Sequence, residues 1–212
     1  MWVLYFKKKM TLNIRKDWLI KIEVPQKTIN LFNQYVDTTV SNVDPIDLNE
    51  KSTRGNLSKQ YDLKSSNIEL FNKVIVPILE DHFKNFTFTN VDAWTVYGEE
   101  YGYHKIHKHN LMETNPFFLT RDGNFIALDT SVPIDDISTV TYLKVPKPNF
   151  NFFGDVFFVL RNLKNNLEVF NIAPKVGDIF IFPCHLFHGT TPQPKGTRQT
   201  LNLDYRPILK KQ

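Results

Sequence analysis

The chain has little cysteine, little glycine and no long apolar run. Only one of its 212 residues is a cysteine, Cys184, and this excludes an intramolecular disulfide framework and a zinc site of the Cys-x-x-Cys type. No stretch approaches the ~20 consecutive apolar residues that a membrane-spanning helix needs. Residues 1–6 are apolar but short, and they precede three lysines, so we interpret them as a strand rather than a signal peptide. We expect a cytoplasmic protein (in the host cytoplasm if the chain is viral) with no membrane partner.

Positive charge is in slight excess, with a formal net charge of +4. Much of it lies at the two ends, in residues 7–9 and 210–211. A nucleic-acid surface would need Arg and Lys clustered among aromatic residues, and the chain shows no such cluster. Nucleic acid as a partner is therefore unsupported.

Aromatic residues are abundant, at 14% of the chain with eighteen phenylalanines, which is enough for one domain with a sizeable core. The pattern predicts two helices. The first opens at Pro25 and places Ile29, Phe32 and Val36 on one face. The second is capped by Ser65-Ser66, and Pro77 should kink or divide it; its apolar face carries Ile68, Phe71, Ile75, Ile78, Leu79 and Phe83. Residues 41–64 between them are polar and predicted to be a loop.

From Thr87 onward the sequence predicts short strands punctuated by Gly and Pro. The predicted strands are 88–97, 139–145, 156–160, 167–171, 178–182 and 199–205, with a weaker candidate at 125–128. Helices followed by antiparallel strands favour a mainly β (α+β) fold, a β-sandwich or jelly roll buttressed by two N-terminal helices. We expect a single domain over 1–212. Within it, 1–86 supply N-terminal strands and supporting helices, and 87–206 form the β core with a long inserted loop at 110–138.

Five of the six histidines fall in two clusters, His104-Lys105-Ile106-His107-Lys108-His109 and His185-Leu186-Phe187-His188. Two histidines at i and i+2 on an extended segment point to the same side, and imidazole is the commonest metal ligand in proteins. A distant third histidine closes a facial set of ligands with open positions opposite. Arg198, ten residues past the second cluster, offers a planar fork suited to a carboxylate. This pattern is more typical of a catalytic centre than of a structural zinc site.

Three stretches resemble the Fe(II)/2-oxoglutarate-dependent dioxygenases. They are 94–109 with His107-Lys108-His109, 139–146, and 174–198 with its "P-x-x-G-D, apolar strand, F-P, His-Gly, Arg" pattern. The match is closest to the small prolyl-hydroxylase-like group that is common in bacteriophage genomes. The resemblance implies a double-stranded β-helix and an enzyme that uses Fe(II), O2 and 2-oxoglutarate. Such an enzyme hydroxylates a prime substrate and releases succinate and CO2.

The resemblance also implies roles for individual residues. His107 and His188 match iron ligands, and Arg198 matches the residue that pairs with the distal carboxylate of 2-oxoglutarate. Tyr142 and Tyr97 match positions of tyrosines that contact the cosubstrate. Thr200, two residues after Arg198, could add a hydroxyl to the same carboxylate.

One position departs from the family pattern, because His109 stands where the first motif usually has Asp or Glu. Either His109 is the third ligand of a three-histidine site, or it is a solvated residue and the chain has lost its metal. A carboxylate ligand from Glu99, Glu100, Asp129, Asp135 or Asp136 would require a loop to fold back. We expect His104 to lie on the surface or in a loop, and His185 to support the ligands or to be structural rather than to bind the metal.

Two other functions stay open at this stage. One is a non-catalytic jelly-roll protein, a binding or structural module with a vestigial or zinc-occupied site. The other is a three-histidine, cupin-type dioxygenase that does not use 2-oxoglutarate, which would leave Arg198 unexplained. The prime substrate is open among a protein side chain, an amino acid and a nucleobase. We expect the 110–138 segment to govern selectivity, since a connection this long is more often functional than idle.

Overall fold

A computed structural model of the chain describes residues 9–14, 17–46, 55–63, 68–109, 136–147, 153–161 and 166–210. Four predicted features lie wholly or mostly outside these residues. They are the strand at 1–6, the helix cap at 65–66, the strand candidate at 125–128 and the inserted loop at 110–138.

Both predicted helices are present, as α1 (Gln26–Val40) and α2 (Glu69–His82). The predicted face of α1 is buried. Of the two predicted effects of Pro77, division of the second helix is wrong, because α2 continues through it, and a kink stays a prediction. Proline removes one backbone donor, and burial of the apolar face of α2 stabilises the helix around that gap. Neither helix is long and apolar enough to cross a membrane, within the part of the chain that was searched.

All six of the firmly predicted strands are confirmed. They are β5 (Phe86–Gly98), β7 (Ile137–Lys144), β8 (Val156–Arg161), β9 (Leu167–Ile172), β10 (Asp178–Pro183) and β12 (Arg198–Leu209).

Further strands were not predicted by the pattern. They are β1 (Lys9–Ile14), β2 (Asp17–Glu23), β3 (Gly55–Asn56), β4 (Lys59–Asp62), β6 (Tyr103–His104) and β11 (Phe187–Thr190). The prediction of a loop over 41–64 is therefore wrong in part, since β3 and β4 lie within it. The polar β4 is held in place by pairing with β5 rather than by its own composition.

The strands form two main antiparallel sheets. The larger sheet has seven strands in the order β1-β2-β10-β7-β12-β5-β4, and the smaller has the order β11-β8-β9. A third, two-stranded sheet joins β3 to β6. The two main sheets form a double-stranded β-helix, or jelly roll, and the two helices cover the larger sheet. The predicted fold class is confirmed.

Two apolar cores lie on opposite faces of the larger sheet. Along β10, Ile179 and Ile181 belong to the core shared with the helices, whereas Phe180 and Phe182 belong to the core shared with the smaller sheet. Successive side chains of a strand point to opposite faces, so the fully buried β10 contributes side chains to both cores. This continuous burial explains why β10 is an uninterrupted apolar run in the sequence.

Strand β12 has a different character on its two faces. Leu201, Leu203 and Tyr205 pack into the helix-side core. The alternate residues are polar and buried, and they face the space between the two main sheets; these are Arg198, Thr200, Asn202 and Asp204. The polar stripe 198–204 therefore places buried charged and polar side chains between the two sheets.

Phe180 provides a test of the packing between the sheets. It is fully buried, with ring centroids 5.7 Å from Tyr142 and 5.6 Å from Phe158. We expect Phe180→Ala to lower the free energy of unfolding by about 3–5 kcal/mol, because it leaves a cavity between the two sheets. Leu167→Ala is the control, since Leu167 is 63% exposed, and it should change stability by no more than about 0.5 kcal/mol. Urea denaturation would measure both; equal effects would contradict the assignment of this core.

Candidate metal centre

The two histidine clusters meet between the sheets. His107 and His188 form a reciprocal antiparallel bridge, in which each backbone N–H donates to the other's carbonyl at 2.9 Å. The N–H of His109 donates to the carbonyl of Cys184, also at 2.9 Å. As a result, His107, His109 and His188 each bring one ring nitrogen within 4.8 Å of the other two. The three residues could therefore hold one metal ion.

Each of the three rings has its Nδ1 against an oxygen atom. Nδ1 of His107 lies 2.8 Å from the carbonyl of Lys105, and Nδ1 of His188 lies 2.9 Å from that of Leu186. Nδ1 of His109 lies 3.0 Å from a carboxylate oxygen of Asp204. Carbonyl and ionised carboxylate oxygens only accept hydrogen bonds, so each Nδ1 carries the hydrogen and donates it. This leaves the lone pair on each Nε2, the atom that binds a metal.

Electrostatics keeps His188 neutral. Burial, reinforced by the neighbouring His107 and His109, lowers the pKa of His188 well below its usual value. Burial disfavours the charged form of an imidazole, and nearby histidines disfavour it further. Because a ligating imidazole must be unprotonated, this environment favours metal binding at neutral pH.

Aromatic rings enclose the histidines. The ring centroid of Trp94 lies 5.1 Å from that of His109, and the ring of Phe182 lies 4.6 Å from that of His188. Gly189 explains the His-Gly pair in the sequence. A Cβ atom at Gly189 would lie 2.6 Å from the ring of Phe157 and 2.7 Å from the carbonyl of His104, so no larger residue fits beside His188 without displacing its neighbours.

His104 does not lie on the surface as predicted. Its ring centroid is 4.1 Å from that of His107, and it lines the same cleft. Strand β6 ends at His104, whose N–H donates to the hydroxyl of Thr190 at 2.8 Å. Residues 105–106 are not in a strand, so the alternation of side chains along a strand does not separate His104 from His107.

Arg198 is buried in the same cleft, and no described residue serves as its counter-ion. It is 4% exposed, and its Nη1 has no hydrogen-bond partner among the described residues. Burial lowers the pKa of Arg198, yet a guanidinium stays protonated in proteins. Gly98 makes room for it, because a Cβ there would lie 3.3 Å from Nη2 of Arg198 and 2.6 Å from Oε1 of Gln193.

The histidines and Arg198 open into one cleft that encloses about 480 Å³, including the solvent at its mouth. Tyr142 and Thr200, both named from the sequence, line it as well. Burial raises the pKa of Tyr142 to about 12, so its hydroxyl keeps its proton and can donate a hydrogen bond.

Tyr97 is the predicted residue that the structure does not bring to the cleft. On β5, the alternate residues Trp94 and Val96 line the cleft. The hydroxyl of Tyr97 instead accepts a hydrogen bond from Nε2 of Gln199 at 2.6 Å, and its ring packs on Tyr61. The resemblance gave no information about which face of β5 the tyrosine occupies.

Sequence reasoning missed one carboxylate beside the histidines, Asp204. It contacts His109, and the ligand atoms of Asp204, Cys184 and His109 also lie within 4.8 Å of one another. The sequence did contain a signal for it. Every second residue of a strand lies on the same face, and this spacing leads from Arg198 through Thr200 and Asn202 to Asp204.

None of the carboxylates considered from the sequence and described in the structure approaches the three histidines. Glu99 is exposed and accepts hydrogen bonds from Thr197, and Glu100 is exposed. Asp136 pairs with Arg206 at 3.1 Å. Asp129 and Asp135 lie outside the described residues.

Comparison with solved structures identifies the fold. A viral collagen prolyl hydroxylase from Paramecium bursaria Chlorella virus-1, in complex with 2OG, superimposes with a TM-score of 0.53 at 14% identity, covering 90% of this chain and 96% of that one. A Trichoplax adhaerens prolyl hydroxylase bound to a hypoxia-inducible-factor peptide gives 0.56 at 14% identity, with coverages of 88% and 82%. HygX from Streptomyces hygroscopicus, with nickel, 2-oxoglutarate and hygromycin B bound, gives 0.62 at 14% identity, with coverages of 90% and 83%.

The chain has the fold of the Fe(II)/2-oxoglutarate oxygenases. The resemblance drawn from the sequence is thereby confirmed at the level of the fold. No protein-family model matches the chain, and no curated protein matches its sequence. The neighbours hold ligands as different as a peptide and hygromycin B, so the fold alone does not define a substrate for this chain.

The lowered pKa of His188 predicts a pH effect on stability in the metal-free protein. Because the folded-state pKa lies below the ordinary value of 6.5, the unfolded chain binds the extra proton first as the pH falls. The contribution of His188 to stability is therefore complete above pH 6.5 and is lost as the pH falls toward the folded-state pKa. His188→Leu should flatten this dependence in urea denaturation series at several pH values. The same pH slope in both proteins would contradict the assignment.

Proposed function

We propose that this protein is an Fe(II)- and 2-oxoglutarate-dependent dioxygenase that hydroxylates an unidentified prime substrate and releases succinate and CO2. The observation that carries the proposal is the pairing of two features in one cleft. Three imidazoles each bring one ring nitrogen within 4.8 Å of the other two, and a buried guanidinium that has no counter-ion among the described residues lines the same cleft. A structural metal site has no need of the second feature.

The donor set fits a catalytic metal. His107, His109 and His188 would hold Fe(II) through neutral nitrogen atoms, a ligand type that suits iron. Three protein ligands leave coordination positions open for other molecules, as catalytic sites require. Iron held there supplies the redox chemistry by which O2 oxidises 2-oxoglutarate to succinate and CO2 and inserts its other oxygen atom into the prime substrate.

The remaining polar residues of the cleft suit the cosubstrate. The planar fork of Arg198 matches a carboxylate with two parallel hydrogen bonds. The protonated hydroxyl of Tyr142 and the hydroxyl of Thr200 line the same cleft, and both can donate to a carboxylate oxygen. An anion bound there would neutralise the Arg198 charge, whose burial without a partner is otherwise unfavourable.

The apolar wall contributes by excluding water. Trp94, Val96, Val140 and Phe158 line the cleft together with the polar residues. A dry, low-dielectric site strengthens the attraction between the guanidinium and a carboxylate. It also protects reactive intermediates from side reactions with water.

The direct test is an anaerobic titration of the purified protein with Fe(II) and then with 2-oxoglutarate. We expect a weak visible metal-to-ligand charge-transfer band only when both are present, followed by its decay and the formation of succinate when O2 is admitted. Bound metal with no band would contradict the proposal. That result would favour a non-catalytic module with a vestigial or zinc-occupied site, or a three-histidine dioxygenase that works without 2-oxoglutarate.

The role of Arg198 has a separate test. We expect Arg198→Gln to weaken 2-oxoglutarate binding by about 30-fold to several thousand-fold, because removing one partner of a buried charge pair costs about 2–5 kcal/mol. Metal affinity should be unchanged. Arg206→Gln is a matched control on the same strand, since Arg206 pairs with Asp136 rather than facing the cleft. Calorimetric titration would measure both constants, and equal 2-oxoglutarate affinities in the two variants would remove Arg198 from the site.

The three ligand assignments are tested one at a time. His107→Ala, His109→Ala and His188→Ala should each strongly reduce Fe(II) binding, because each removes one of three nitrogen donors. His82→Ala is the control, since His82 lies at the end of α2 against Trp18 and Phe83. Metal stoichiometry after anaerobic dialysis gives the answer for each. Wild-type stoichiometry in His109→Ala would show that His109 is not a ligand.

A further inference from the structure

A buried carboxylate lies directly behind His109. The two carboxylate oxygens of Asp204 are 3.1 and 3.0 Å from Nδ1 of His109. The side chain of Asp204 is 2% exposed. The hydroxyl of Ser138, on the neighbouring strand β7, lies 3.2 Å from the same nitrogen. Two strands of the larger sheet therefore hold the outer edge of this ring.

Asp204 has no conventional counter-ion among the described residues. Its side chain contacts His109 there, and neither Lys nor Arg pairs with it. A buried carboxylate is stable only when paired or well hydrogen-bonded, so the Nδ1–H of His109 is its principal stabilising contact. The contact strengthens when a cation binds at Nε2, because a bound cation makes the Nδ1–H a better donor.

The three histidines contribute no negative charge to a bound metal. In the His-x-Asp or His-x-Glu form of the motif, the residue at position 109 would supply one. Asp204, on the polar stripe of β12, instead lies behind the ring of His109. Its negative charge would therefore act on a bound metal through the imidazole of His109. The hydrogen bond also fixes the orientation of the ring and leaves its Nε2 as the nitrogen that can bind a metal.

We propose that Asp204 is a positioning residue of the metal site, which orients His109 and supplies the negative charge that the three direct ligands lack. This proposal rests on the function proposed above. The competing arrangement is direct ligation, in which Asp204, Cys184 and His109 hold the ion themselves. That arrangement would replace the hydrogen bond between Asp204 and His109 with a metal.

Asp204→Asn separates charge from shape, because the amide has the same size and keeps an oxygen that accepts from Nδ1–H. We expect this variant to bind Co(II), used as a stable substitute for Fe(II), about 10- to 100-fold more weakly than the wild type. Asp178→Asn is the matched control. Asp178 is also buried in the larger sheet but pairs with Lys21 at 2.8 Å, so its variant should bind Co(II) as the wild type does. Wild-type affinity in Asp204→Asn would overturn the proposal.

Two further readouts keep the test informative if Asp204→Asn folds poorly. In ¹⁵N NMR of the metal-free wild type, His109 should carry its hydrogen on Nδ1; a hydrogen on Nε2 would overturn the proposal. The Co(II) spectrum distinguishes the competing arrangement. A sulfur-to-cobalt charge-transfer band that Cys184→Ser abolishes would show direct ligation by the second group, and its absence supports the indirect role of Asp204.

The His188→Ala variant separates failure of this proposal from failure of the proposed function. If the wild type binds no Co(II), or if His188→Ala binds it as well as the wild type, the metal site itself is wrong. If His188→Ala loses Co(II) binding while Asp204→Asn retains it fully, the metal site is supported and the proposed role of Asp204 is wrong.

Discussion

The site depends on the reciprocal backbone bridge between His107 and His188. These residues are far apart in the chain, and the bridge extends the smaller sheet by one residue pair at the edge of β11. From there the segment crosses to the end of β10, where the N–H of His109 reaches the carbonyl of Cys184. Three histidines from two segments are thus positioned by main-chain hydrogen bonds. The backbone therefore fixes the positions of the three Cα atoms, and the contacts at each Nδ1 orient the rings.

Strand β12 connects this site to the rest of the fold. One face packs on the helices through Leu201, Leu203 and Tyr205, and the other carries the polar stripe 198–204. The stripe begins at the guanidinium and ends at the carboxylate behind His109. Its two ends therefore have opposite charge, the positive end suited to an organic anion and the negative end adjacent to His109. The same core packing that stabilises the sheet also fixes the distance between Arg198 and Asp204.

The sequence predicted most of the helices and strands whose own residues favour that secondary structure. The buried run 178–182, the helical spacing of Ile29, Phe32 and Val36, and the i, i+2 pair His107 and His109 each carry a local pattern that the structure repeats. It did not predict β4, whose polar residues become a strand only through pairing with β5, nor the approach of His104 to His107. The face on which Tyr97 lies depends on strand register, and the contact of Asp204 with His109 joins residues 95 positions apart. Such contacts are fixed by tertiary structure, and the local pattern gave at most the shared face of Arg198, Thr200, Asn202 and Asp204.

The three-imidazole donor set has a consequence for which metal the protein acquires. Nitrogen sites bind Cu(II), Ni(II) and Zn(II) more tightly than Fe(II), following the Irving–Williams order, and selectivity in the cell comes largely from metal availability and geometry. A direct carboxylate ligand would make the donor set harder and reduce this bias. With the carboxylate of Asp204 set back behind a ring, the proposed site would be open to mismetallation, and its occupancy would follow the supply of metals in the compartment where the chain folds.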